Sequence, residues 1–170
     1  MTSYLMCYYS AMNKSLLIPI IINYLQKELT NCELAAANAH LAATDDQSIA
    51  ETQYDTLAIE SAYLAEGQSK RIIEFKAAIL AFQQLSLDKV ANNIVALGSV
   101  VQLNEDVKCN HRFFIAPAAA GYRFSIEDEN FTVITPNSPM GVALLGKQVD
   151  DEIELSIGDN KLIDEIIAVG

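Results

Sequence analysis

Eight carboxylates lie between Lys27 and Lys70, with no lysine or arginine among them: Glu28, Glu33, Asp45, Asp46, Glu51, Asp55, Glu60 and Glu66. Only His40 could add a positive charge there. Solvent-facing helices usually mix signs so that residues four apart can pair. A run of one sign is either a solvated acidic face or a tip that enters a basic channel or approaches a metal ion held by a partner. Asp45, Asp46 and Glu51 stand nearest the middle of the window. Asp45 and Asp46 sit in Thr44-Asp45-Asp46-Gln47-Ser48, a string of residues that end and cap helices. Glu51 suits the positive N-terminal end of a following helix.

The elements around that window are helical by pattern. Ile18, Ile22, Leu25, Leu29, Cys32, Ala36, Ala39 and Ala43 follow each other at alternating spacings of four and three, a heptad seam that narrows to alanine. A second stripe runs through Tyr54, Leu57, Ser61, Leu64, Gln68, Ile72, Phe75, Ile79 and Phe82, with one register slip near Gln68. Two helices of similar length around a capping segment predict an antiparallel hairpin, a coiled-coil rod of roughly 40 Å. Pro19 is tolerated in a first helical turn, which places the start of the first helix nearer Ile18 than Lys14. In this frame Tyr54 and Tyr63 are packing residues, and Gln68 is a polar position that sets register.

After Asp88 the period shortens. Ile94–Leu97, Val100–Leu103, Arg112–Ile115, Phe131–Ile134, Asp151–Leu155 and Leu162–Val169 read as short strands between turns. Ser138 as cap, Pro139 at the first helical position and Gly146 as stop mark one short helix. The fold class is therefore α+β. A possible disordered extension over 1–15, with Met12 as a second candidate start, precedes an antiparallel coiled-coil domain over 16–87 and a small antiparallel sheet domain with one helix over 88–170.

Composition narrows the function. The net charge of −11 on 170 residues disfavours direct binding to a phosphate backbone, and the 51% hydrophobic content is too high for a disordered chain. There is no apolar run long enough to span a bilayer. Three widely spaced cysteines, Cys7, Cys32 and Cys109, carry no zinc spacing and fit a reducing, cytoplasmic compartment. His40 and His111 are isolated in sequence and expected to be unremarkable.

The segment from Ile134 to Glu154 contains Ser138-Pro139, Ala143-Leu144-Leu145-Gly146-Lys147 and Asp150-Asp151-Glu152. It resembles the C-terminal domain of Gre-type bacterial transcription elongation factors, with Asp150 where that family has glycine. Val95–Val101 and Glu165–Val169 resemble the first and last strands of the same domain. Tyr54-Asp55-Thr56 and Tyr63–Gln68 look like a divergent Gre-like subgroup. The resemblance implies an FKBP-like sheet domain that docks on the rim of the RNA polymerase secondary channel, with Ser138, Pro139, Gly146 and Lys147 as docking candidates. It also implies a coiled coil passing down the channel, near the nascent RNA. There, acids at the tip help hold the polymerase's second Mg²⁺ for its own two-metal RNA cleavage. The factor would have no catalytic residues and no cofactor of its own, and would act as a monomer. The family's Asp-x-x-Glu pair, aligned on Tyr54, falls on Gln47 and Ala50. Asp46 and Glu51 are then the candidate metal-facing acids and Asp45 a further tip candidate, and a channel-binding regulator without cleavage activity stands beside the cleavage reading. A homodimeric coiled-coil adaptor is the remaining alternative. A prolyl isomerase is disfavoured because no tryptophan is present to floor its pocket.

Overall fold

The computed structural model describes residues 14–44, 56–87, 94–157 and 160–170. A short 3-10 turn, Lys14–Leu16, leads into α1, Leu17–Thr44; α2 spans Thr56–Gln83. Each helix has 28 residues, so each extends about 42 Å at ~1.5 Å per residue. The start of α1 and the end of α2 share one core, and Lys76 Nζ lies 3.1 Å from Glu33 Oε1 between them. The pair is an antiparallel hairpin, as its two stripes predict. Pro19 sits in the first turn of α1.

The inner faces refine the sequence pattern. Leu25, Cys32 and Ala39 are buried in α1, at the expected heptad positions. Leu17 and Ile21 are more deeply buried still, although they flank the seam. At the base, α1 packs against the sheet as well as against α2, so its buried arc widens. In α2, Leu64 is exposed and Ala65 takes the inward position. From there Ala65, Gln68, Ile72, Phe75, Ile79 and Phe82 run at three–four spacing with no slip. The apparent irregularity came from assigning the larger neighbour to the core. Gln68 faces inward, and its Oε1 is buried with no hydrogen-bond partner.

The second half is a six-stranded sheet in the order β3-β4-β2-β1-β6-β5. The strands are β1 Val100–Leu103, β2 His111–Ile115, β3 Arg123–Ile126, β4 Glu129–Ile134, β5 Glu152–Ile157 and β6 Asn160–Val169. Four of the five pairings are antiparallel, while β2 and β4 run parallel, so the sheet is mixed. Ile94–Leu97 contributes only a bridge between Ile94 and Gln148. The chain turns at Gly98, φ 92, before β1 begins. β3 was not evident in the sequence because it joins β4 through Glu127-Asp128 rather than through a glycine turn. Glu127 takes the required left-handed backbone at φ 53.

Period-two alternation sends the strands' side chains into two cores. On one face Val100, Phe114, Ala116, Phe131 and Val133 pack with Leu17, Ile21, Leu25 and Phe82 from the hairpin. On the other, Val101, Leu103, Ile115, Ile134, Ile153 and Ile166 pack with Val95 and with Leu144 of α3, Pro139–Leu144. The hairpin base is thus a roof on the sheet.

Phe82 is fully buried where the two parts meet. Phe82→Ala is expected to lower unfolding free energy by about 3–5 kcal/mol, whereas Leu64→Ala changes it by less than ~1 kcal/mol. Denaturant melts of both variants check the inward register of α2.

Candidate functional site

Of the window's eight acids, Glu28 and Glu33 lie on α1 and Glu60 and Glu66 on α2. Glu33 pairs across the hairpin with Lys76, and Glu66 pairs with Lys70 along α2 at 3.3 Å. Both bases come from outside the window, and all four side chains are about half exposed or more, so each pair contributes little stability. The three tip candidates, Asp45, Asp46 and Glu51, lie outside the described residues. Among the described residues no three of His, Cys, Asp and Glu gather into a metal site. Nor is any described helix long and apolar enough to cross a membrane.

The four docking candidates all have roles in the fold. Ser138, extended at φ −71 and ψ 153, accepts the Gly141 N–H at 3.1 Å and donates its hydroxyl to the Thr135 carbonyl at 2.7 Å. Pro139 opens α3, where no N–H is needed. Gly141 closes the turn tightly: a Cβ there would stand 2.0 Å from the Thr135 oxygen. Gly146 turns at φ 79, and its N–H donates to the Val95 carbonyl. The Lys147 carbonyl accepts from Val95 N–H, and Lys147 Nζ reaches the Glu152 carbonyl at 3.3 Å. The side chains this segment turns outward are Asn137, Pro139 and Val142. Asp150, which replaces the family glycine, has φ 70, a left-handed backbone that glycine adopts without strain.

Sequence spacing did not indicate two clusters that the fold assembles. His111 Nδ1 lies 3.1 Å from Asp106 Oδ1, and His111 Nε2 lies 2.8 Å from Thr132 Oγ1. A carboxylate can only accept, so a neutral ring carries its hydrogen on Nδ1 and takes the threonine hydroxyl hydrogen at Nε2. This ties the 3-10 turn Glu105–Cys109 to β4. The second cluster is an aromatic column. Tyr24 of α1 stacks on Tyr122 with centroids 3.8 Å apart and planes 11° from parallel. Phe124 and Phe131 continue the column at 5.5 and 5.3 Å. Beside it is a cleft of about 530 Å³ between hairpin and sheet, lined partly by Glu74, Phe75 and Gly121. Burial, and then the neighbouring Tyr24, push the Tyr122 hydroxyl above its ordinary value. Burial also lowers Lys14.

Residues 90–170 match the family described as transcription elongation factor, GreA/GreB, C-term. The sheet domain is thus of the type found at the C-terminus of GreA/GreB transcription elongation factors. No curated protein matches the chain. Among solved structures, the crystal structure of GreA factor homolog 1 (Gfh1) of Thermus thermophilus is 20% identical, covering 88% of this chain and 94% of that one at a TM-score of 0.34. A second structure of the transcription factor Gfh1 is 19% identical, covering 87% and 92% at 0.36. The elongation factor GreA/GreB of Nitrosomonas europaea is 16% identical, covering 80% and 92% at 0.33.

Ser138→Ala removes the cap of α3 and is expected to cost about 1 kcal/mol in a denaturant melt. Tyr122 predicts a second effect. Its folded pKa lies above the unfolded value of 10.0, so its contribution to stability is complete below that value and is lost as pH rises through the folded pKa. Tyr122→Phe is expected to flatten this alkaline loss in melts taken across the range.

Proposed function

We propose that this chain binds RNA polymerase and regulates elongation by extending the acidic outer half of its hairpin into the secondary channel while the sheet domain docks at the rim. The observation that supports this best is the combination of a Gre-type sheet domain with a base-free acidic window on the hairpin built into it. The hairpin delivers charge about 40 Å from where it is anchored. The shared core at its base lets docking of the sheet domain set the hairpin's direction. No catalytic residue of the chain itself takes part in this reading.

Asp45, Asp46 and Glu51 supply the oxygen ligands that a hard cation takes. Asp46 and Glu51 would support a polymerase-held Mg²⁺, whose bound water is the attacking group in two-metal RNA cleavage. The family acid positions fall on Gln47 and Ala50, however, and placement errors near 1 Å can cost ~100-fold in such chemistry. Channel binding with weak or no cleavage is therefore the primary reading, and tip-assisted cleavage is the second.

A backtracked polymerase complex separates them. The protein is expected to compete with a standard Gre cleavage factor and to slow that factor's RNA cleavage, while stimulating little itself. Strong cleavage by the wild type, lost in Asp46→Ala or Glu51→Ala, would establish the second reading. Failure both to compete and to cleave would overturn the proposal.

A further inference from the structure

One face of the sheet is apolar at one end and polar at the other. Strand alternation and register put His111, Arg123, Ser125, Asn130 and Thr132 on the face that also holds Ile115 and Ile134. Leu144 of α3 packs at the Ile115 and Ile134 end. The other end opens as a pocket of about 410 Å³, lined by those five polar residues with Phe124 and Phe131. The pocket's charge is opposite to the chain's average of −11. Arg123 is exposed and has no ion-pair partner among the described residues. Glu129 is on the opposite face, where it pairs with Arg112. Glu127 and Asp128 are in the turn, each four residues from Arg123 or Thr132, about 13 Å at ~3.3 Å per residue. Glu74 borders the neighbouring cleft together with Arg123, but the two form no ion pair.

We propose that this pocket binds a tetrahedral oxyanion, the phosphate group of a small phosphorylated molecule. Arg123 supplies a fork of charged donors, which suits phosphate oxygens. Asn130 uses one amide hydrogen on the Cys109 carbonyl and receives the Ser125 hydroxyl at Oδ1, so its second amide hydrogen is held ready. His111 is fixed at both ring nitrogens, by Asp106 on Nδ1 and by the buried Thr132 hydroxyl on Nε2. A neutral ring offers only an acceptor at Nε2. Seating an anion there therefore brings a proton onto Nε2, and the Asp106 carboxylate offsets the new charge. The titratable and charged groups around the ring are Asp106, Cys109, whose Sγ is 3.8 Å from Asp106 Oδ1, and Arg123 across β4. Donors on three adjacent strands suit a tetrahedral ion better than a planar carboxylate. The pocket is several times larger than phosphate, which leaves room for the group the phosphate is attached to. A nucleic-acid strand is disfavoured, because the chain's charge repels a run of phosphates. This site is independent of the polymerase reading.

The test is a titration of the full chain with inorganic phosphate at fixed pH and ionic strength, followed by amide and imidazole NMR. Saturable shifts are expected at His111, Ser125, Asn130 and Thr132, with a Kd of about 1–10 mM. The His111 ring signals are expected to move to imidazolium positions as the site fills. Arg123→Gln, a change at an exposed residue, is expected to keep the rest of the spectrum and to weaken binding roughly tenfold or more. Arg71→Gln on α2, which does not line the pocket, is expected to stay within about twofold of the wild type. No saturation below about 50 mM, equal binding of acetate, or a His111 ring that stays neutral in the complex would each overturn the proposal. So would an unchanged affinity in Arg123→Gln.

Discussion

The structure depends on the burial of the hairpin base against the sheet. Leu17, Ile21 and Leu25 from α1 and Phe82 from α2 pack with Phe114, Phe131 and Val133 into one apolar core. Neither half could form that core alone. The sheet would expose a row of aromatic and branched side chains, and the base of the hairpin would expose three aliphatics and a phenylalanine. Because burial stabilises in proportion to the area taken from water, the two parts are joined by the same term that folds each of them. The stacked rings of Tyr24 and Tyr122 extend the contact along one side.

Away from the base the physics changes. Toward the outer half the seam loses its large side chains, buries a glutamine oxygen without a donor and turns leucines outward. The hairpin is therefore built unevenly, firm where it meets the sheet and weakly self-packed where it carries the acids. Stability spread in this way is characteristic of elements that engage partners. The second core, under α3, is independent of the hairpin and holds the Ser138–Lys147 segment through capping, a tight glycine and backbone pairing with Val95. Residues that look like an interaction motif are here first a folding motif, and the outward Pro139 and Val142 are what that fold presents.

Much of this was legible in the sequence, and the failures have physical causes. Heptad spacing located both helices, and the Ser-Pro and glycine signals located α3, because caps and periodicity are local. Leu17 and Ile21 escaped because their burial comes from the sheet, which helical spacing cannot register. Leu64 was placed inside because size was taken as burial, whereas the seam accepts Ala65. β3 escaped because its turn uses Glu127 in a conformation usually left to glycine or asparagine. The Asp106–His111–Thr132 link joins residues on three separate elements, so no spacing could reveal it. The acidic window was plain in the sequence, and its central acids Asp45, Asp46 and Glu51 lie outside the described residues.

The central claim is that a rod fixed at its base carries its acidic outer half into the polymerase. Photo-crosslinking tests it most directly. A Leu41→p-benzoylphenylalanine variant, bound to polymerase and irradiated, is expected to crosslink to subunit segments that line the secondary channel, and the same group at Ile163 in the sheet domain is expected to miss them. Crosslinks from position 41 only to a second copy of the chain, or only to the polymerase exterior, would contradict the account.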